Sequence, residues 1–423
     1  MEFKVPEFVT PDFLEEKFKN AKDITLQEVE KDGVAPDDFY LTRHMPTFYK
    51  VDGEWQLPEH TSINCVAVLK DGKVEVVEIR DLKKGDKVVV SEDGKIEDGI
   101  YVYKDAFPKD IYSKPGKAVE TSFSKDYDYL FELLRHEKDS EDGYIVWVLG
   151  PSVVFDYDTR KALNQLAENG YINCLLGGNA MATHDLEGGF LNTALGQNIY
   201  TQENQPMGHY NHLDLLNEVR TTGSIKDFIA SGNVKDGIIK TLSDMDVPFV
   251  LSGSIRDDGP LPEVIGDQDK ALSETKKELD KATVIVCIAT MLHSLSVANM
   301  ASSYRVRKDG KISPVYLYCV DVTENVVHKV GAARENLAYV PMVTNVQDFV
   351  VNCEKALISP ANKAFAREME IPEMEYVEND KKASFYSNIQ IASIIESKFN
   401  DEFYNENISN NGFSLKDAYE TSM

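Results

Sequence analysis

The chain has 423 residues, 42% of them hydrophobic, with 45 Lys and Arg against 71 Asp and Glu and a formal net charge of -26. Its length exceeds what one core usually serves, so two or three domains are expected. The acidity speaks against nucleic acid or an anionic membrane as main partner, since both would be repelled, and suits a small cationic substrate. No apolar run approaches the roughly 20 residues of a spanning helix, and Met1–Pro6 shows no charged-then-apolar leader, so a soluble, cytoplasmic protein is expected. The five cysteines are scattered without a C-x-x-C pair, which argues against a disulfide framework or a metal site.

In chain order, Thr10-Pro11-Asp12 reads as a helix start. Short alternating segments follow, broken at Asp32-Gly33, Asp52-Gly53, Asp71-Gly72 and Asp93-Gly94. They predict a small β-rich domain over residues 1–110, with its clearest strands at 63–69, 74–79 and 87–90. Beyond it lie five apolar runs: 144–149, one ending at Leu176, 249–251, 284–289 and 315–320. Each stops at Gly, Ser, Thr or Asp, and helix-like segments at 123–137, 158–168, 213–220, 224–230, 268–281 and 298–303 alternate with them. This predicts a parallel-sheet α/β domain over 119–357, closed by a helix at 348–357. A helical carboxyl-terminal extension is expected over 358–423.

An open parallel sheet binds ligands beyond the carboxyl ends of its strands, so the polar clusters there should converge on one crevice. No G-x-G-x-x-G is present, but Gly177 and Gly178 can bring backbone amides to a pyrophosphate. Asp321, directly after a strand, stands where a ribose-hydroxyl acceptor would, or where a turn or helix cap would. In Ser254-Ile255-Arg256-Asp257-Asp258-Gly259, Arg256 can grip a carboxylate in two-pronged fashion. The adjacent Asp257 and Asp258 can push their protonation apart; the alternative is a surface turn whose Arg and Asp side chains pair with each other. His184-Asp185 and Asn211-His212 leave the same choice open between proton carriers and packed or capping residues.

These residues carry a resemblance. Gly178-Asn179-Ala180-Met181-Ala182-Thr183-His184-Asp185, Asn211-His212-Leu213, residues 252–262, Ala289-Thr290-Met291-Leu292-His293-Ser294 and Cys319-Val320-Asp321 together resemble the archaeal-type ornithine cyclodeaminases. These carry a region named after lysine-oxoglutarate reductase/saccharopine dehydrogenase and recur as the carboxyl-terminal half of arginine dihydrolase fusions. Gly33 to Tyr40 and Thr42 to Thr47 look like part of that named region, and the likeness spans about residues 30–350. It implies the dinucleotide fold of the deoxyhypusine synthase/sirtuin-like type, with NAD as cofactor and ornithine as substrate. The cofactor contacts it implies are Asn179, Ala180, Asp258, Thr290, Met291, Leu292, His293, Asp321 and Val322.

The implied reaction converts ornithine to proline and ammonia by internal hydride transfer. It needs a carboxylate clamp, assigned to Arg256; acid/base groups, assigned to Asp257 with Asp185; and His184 and His212 in the pocket. A homo-oligomer is expected. The chain departs from the family pattern in a shorter amino-terminal region and a longer carboxyl end. Two rivals follow from those departures: another NAD-dependent amino-acid or opine-type oxidoreductase, and a non-catalytic dinucleotide-binding sensor or scaffold.

Overall fold

Apolar runs with no polar alternation are what strands buried on both faces require, and six of them pair into one parallel sheet. The strands are β1 (Ile145–Leu149), β2 (Cys174–Gly178), β3 (Phe249–Ser252), β4 (Val284–Ile288), β5 (Tyr316–Asp321) and β6 (Tyr339–Val343). Their order is β3-β2-β1-β4-β5-β6, that of a doubly wound dinucleotide-binding sheet. The order reverses between β1 and β4, paired from Ile145–Val284 to Leu149–Ile288. Successive side chains divide two cores. Ile145, Trp147, Leu149, Val284, Val286 and Ile288 enter one, while Val146, Val148, Ile285 and Cys287 enter the other with Cys174 and Leu176.

The helices are α1 (Lys125–Asp139), α2 (Tyr157–Glu168), α3 (Asn179–Leu191), α4 (Asn211–Thr222), α5 (Gln268–Leu279), α6 (Met291–Met300), α7 (Glu324–Ala333) and α8 (Val346–Ile358), with shorter ones at Ile225–Ala230 and Ile238–Asp244. In this computed structural model the described residues are 4–111, 125–255, 257 and 259–358, all within one compact unit. Arg256, Asp258 and nearly all of the expected extension over 358–423 lie outside the described residues.

Three expectations need correcting. The sheet has a sixth strand, β6, whose Pro341 breaks a strand-like reading; Pro fits here because β6 is an edge strand. The helix expected at 298–303 is α6, which begins seven residues earlier, directly beyond β4. No helix starts at Thr10. The Asp12 carboxylate accepts from Leu14 N–H at 3.0 Å and turns the chain there, and the helix is Glu16–Lys19.

Before α1, strands Thr25–Glu28, Lys87–Val90, Val66–Lys70 and Lys73–Val77 form an antiparallel sheet in that spatial order. Glu54–Gln56, Thr47–Val51 and Ile100–Val102 form a second. Polar ties join this part to the end of α6 and the segment after it: Thr61 N–H donates to Ser302 Oγ at 3.0 Å, Ser62 Oγ to the Met300 carbonyl at 2.7 Å, and Tyr304 OH to the Pro58 carbonyl at 2.7 Å.

Candidate active site

Backbone bonds draw the strand ends together. Gly150 N–H reaches the Ile288 carbonyl at 2.8 Å, Ala289 N–H the Val320 carbonyl at 3.0 Å, and Thr344 N–H the Asp321 carbonyl at 3.1 Å. At the switch point the approach is close enough to demand glycine: a Cβ on Gly150 would lie 1.9 Å from the Ala289 carbonyl oxygen. Ala289 itself sits at φ 54°, the left-handed region unfavourable to a residue with a Cβ.

Three helices start directly beyond their strands, α3 after β2, α6 after β4 and α7 after β5. None has a side-chain cap at Gly178, Thr290 or Thr323. Helices α2, Ile225–Ala230 and α5 are capped by Asp156, Ser224 and Asp267. Uncapped termini leave amide donors and a positive dipole end available to an anion. Beside them Leu292 and Val322 are 75% and 66% exposed, a cost an apolar ligand surface would relieve. Ala180 is exposed and Asn179 buried, its Oδ1 accepting from Leu261 N–H at 2.9 Å and so tying the loop after β3 to the start of α3. Asp321 is buried; its Oδ1 accepts from Thr323 N–H at 2.8 Å, and no described residue bonds its Oδ2. His293, half-buried on α6, is pushed down to about 4 by burial, so it is neutral near pH 7.

The proposed proton carriers divide. His184, on α3, is buried but keeps 11% of its side chain exposed; its Nδ1 lies 2.8 Å from Glu187 Oε2. The Phe155 ring meets it edge-on at 5.5 Å, and His212, from the start of α4, stands 6.1 Å away between centroids. Glu187 is fully buried and also accepts from Thr193 Oγ1 at 2.7 Å, which in turn accepts from Asn211 Nδ2 at 2.8 Å.

Asp185 has another surrounding. It is fully buried, with Arg160 Nε at 3.1 Å from Oδ1 and Ile239 N–H at 2.9 Å from Oδ2. Arg160 also donates to Asp236 Oδ1 at 2.6 Å. Burial pushes the Asp185 carboxyl up, against the opposing effect of Arg160 and the amides. A buried ion pair of this kind favours a structural role for Asp185 over the acid/base role expected of it. At Asp257 both oxygens accept from Ser254, from N–H at 2.8 Å and from Oγ at 3.0 Å, which closes a turn there. Glu187 was missed, although His-x-x-Glu on a helix puts both side chains on one face. Among the described residues no group of three or more His, Cys, Asp or Glu could hold a metal ion.

A doubly wound parallel sheet with open helix ends beyond its strands defines a dinucleotide-binding protein. Comparison supplies the family. A model of the Rossmann-fold carboxyl-terminal part of arginine dihydrolase ArgZ-like proteins matches residues 130–353. The ornithine cyclodeaminase of Archaeoglobus fulgidus is 35% identical over 317 residues, 74% of each chain. Among solved structures, a conserved LOR/SDH protein from Methanococcus maripaludis aligns with a TM-score of 0.71 at 29% identity, covering 80% of this chain and 99% of that one. The ternary complex of AgrE with ornithine and NAD+ aligns at 0.51 and 30%, covering 81% of this chain and 47% of that one; AgrE is the bifunctional arginine dihydrolase/ornithine cyclodeaminase of Nostoc. The chain belongs to the ornithine cyclodeaminase family.

Proposed function

We propose that the protein is an NAD-dependent ornithine cyclodeaminase that converts ornithine to proline and ammonia. One observation carries this reading: a single helix, α3, presents both an uncapped amino terminus at the crevice and, five residues or about 7–8 Å further along, the His184–Glu187 pair. Family membership supports it, with relatives named as ornithine cyclodeaminases and AgrE crystallised with ornithine and NAD+.

The residues present fit a dinucleotide. The amides of Gly178, Asn179 and Ala180 and the open ends of α6 and α7 suit phosphate oxygens, Leu292 and Val322 suit ring faces, and Asp321 Oδ2 suits a ribose hydroxyl. Thr290, Met291, His293 and Gly177 complete the wall, with Asp258 a cofactor contact by resemblance. Bound NAD supplies a hydride acceptor at the substrate α-carbon and returns that hydride in the same cycle. The protein's own part is acid/base work and positioning. His184 removes a proton from the α-ammonium group so that nitrogen can form the imine, and later, with His212, delivers a proton to the departing amine. Arg256 holds the substrate carboxylate.

The finer structural reading belongs here too: a small β-rich domain over 1–110, supported by its two antiparallel sheets, and a deoxyhypusine synthase/sirtuin-like cofactor fold, supported by a parallel sheet without the glycine fingerprint. A homo-oligomer agrees with Leu195, Tyr200, Met207, Tyr210 and Leu213 standing exposed within one segment. A cytoplasmic site agrees with five buried free thiols. No helix of the described residues is long and apolar enough to cross a membrane.

The test is incubation of the purified chain with ornithine and NAD while proline and reduced nicotinamide are followed together. Proline without accumulation of NADH is expected. Accumulating NADH would make the protein a net oxidoreductase, and cofactor binding without turnover a sensor or scaffold.

A further inference from the structure

Glu187 has no Lys or Arg against it among the described residues, although it is fully buried. A buried carboxylate without a permanent cation is costly to keep, so its hydrogen bonds identify what it does. Thr193 has one hydroxyl hydrogen, and its Oγ1 lies between Glu187 Oε1 and Asn211 Nδ2. An ionised carboxylate only accepts, so Thr193 must donate to Glu187 and Asn211 must donate to Thr193. If the Asn211 amide were reversed, Thr193 would face two acceptors with one hydrogen. The second carboxylate oxygen can then accept only from His184 Nδ1–H.

We propose that Glu187, oriented by Thr193 and Asn211, is a positioning residue that holds His184 as the Nδ1–H tautomer and so presents Nε2 as the proton acceptor of the site. The proposal rests on the function given above. In the step it serves, an ammonium N–H bond breaks and a bond from Nε2 to that hydrogen forms. The nitrogen lone pair becomes free for the imine, and Glu187 stabilises the imidazolium until the proton leaves with the amine. The other titratable groups around the ring have separate roles. His212 faces it from α4. Asp156, next to Phe155, is occupied by Thr159, and Asp185 on the adjoining face is occupied by Arg160.

Glu187→Gln keeps the shape and removes the charge. The expected result is a fall in kcat of roughly 10- to 100-fold with KM and calorimetric NAD affinity little changed. The acid limb of the kcat/KM profile should move to lower pH, because an anion beside an imidazole favours the protonated ring. If turnover falls while that limb stays in place, Glu187 is merely structural and the proposal is overturned. Should Glu187→Gln fail to fold, Thr193→Val carries the same test with a smaller fall. Long-range proton–nitrogen NMR on the NAD-bound wild type separates this proposal from the functional reading. A protonated Nδ1 and bare Nε2 on His184 support it whatever the substrate, and the opposite tautomer sinks it even if ornithine is turned over.

Discussion

The two sides of α3 carry two buried carboxylates with opposite meanings. Successive helical residues point about 100° apart, so His184 and Asp185, neighbours in the chain, face different surroundings. On one side Asp185 meets Arg160, whose charge is permanent, and Asp236 closes the cluster. The packing is tight enough that a Cβ on Gly188 would lie 2.8 Å from Arg160 Cζ. On the other, Glu187 meets His184, whose ring is no permanent cation. The partner, not the burial, decides which carboxylate holds the fold and which serves a proton.

The sharpest way to break this comparison is at His184. His184→Gln should reduce ornithine turnover by roughly two to four orders of magnitude while calorimetry still finds NAD bound. Near-normal turnover would return the acid/base role to one of the carboxylates.

Arg160→Met attacks the other side. It strands Asp185 and Asp236, and urea unfolding should show a loss of about 3–5 kcal/mol, the cost of breaking a buried ion pair by removing one partner. Specific activity of the folded fraction should hold near wild type. If activity collapsed in protein that circular dichroism shows to be folded, Asp185 would belong to the chemistry after all.

A third effect comes from a histidine on neither side. Burial depresses His293 to about 4 in the folded chain, while the unfolded chain titrates near 6.5. The unfolded state therefore takes up the proton first as the pH falls. Stability is complete above about pH 6.5 and is lost progressively down to about pH 4, by on the order of 3 kcal/mol. His44, fully buried and also lowered by burial, acts in the same direction. Denaturant titrations across that window should show His293→Gln less acid-sensitive than wild type; identical slopes would contradict the assignment.

The parallel sheet was legible because strands covered on both faces need unbroken apolar runs, as Val284–Ile288 shows. Strand β6 was not, because Pro341 is tolerated only by an edge that sequence does not announce. The strand ends at Gly178 and Asp321 and the helix start at Thr290 were legible, because the apolar runs stop there. The work of Asp185 was not, because Arg160 and Ile239 reach it from distant parts of the chain. Asp257 looked like half of a carboxylate pair, and only folding shows its oxygens turned back on Ser254. The His184–Glu187 spacing was open to view, but the spacing alone does not say which face of the helix lines a site.

The smallest effect expected is at Asp321, where one carboxylate is asked to do both kinds of work. Its Oδ1 holds Thr323 N–H at the start of α7, a local role like those of the capping aspartates. Its Oδ2 has no described partner and is assigned to a ribose hydroxyl, where it would also repel the extra phosphate of NADP. Asp321→Ala removes both, so NAD affinity should fall by about tenfold, or roughly 1.4 kcal/mol, and the preference against NADP should relax. Asp321→Asn separates the roles: its side-chain carbonyl can still accept from Thr323 N–H, but it presents no negative charge to NADP. Discrimination should therefore relax in Asp321→Asn with a smaller change in thermal stability than in Asp321→Ala. If calorimetry finds both cofactors bound as in wild type in both variants, Asp321 is a turn residue alone, and the ribose must be sought at another strand end.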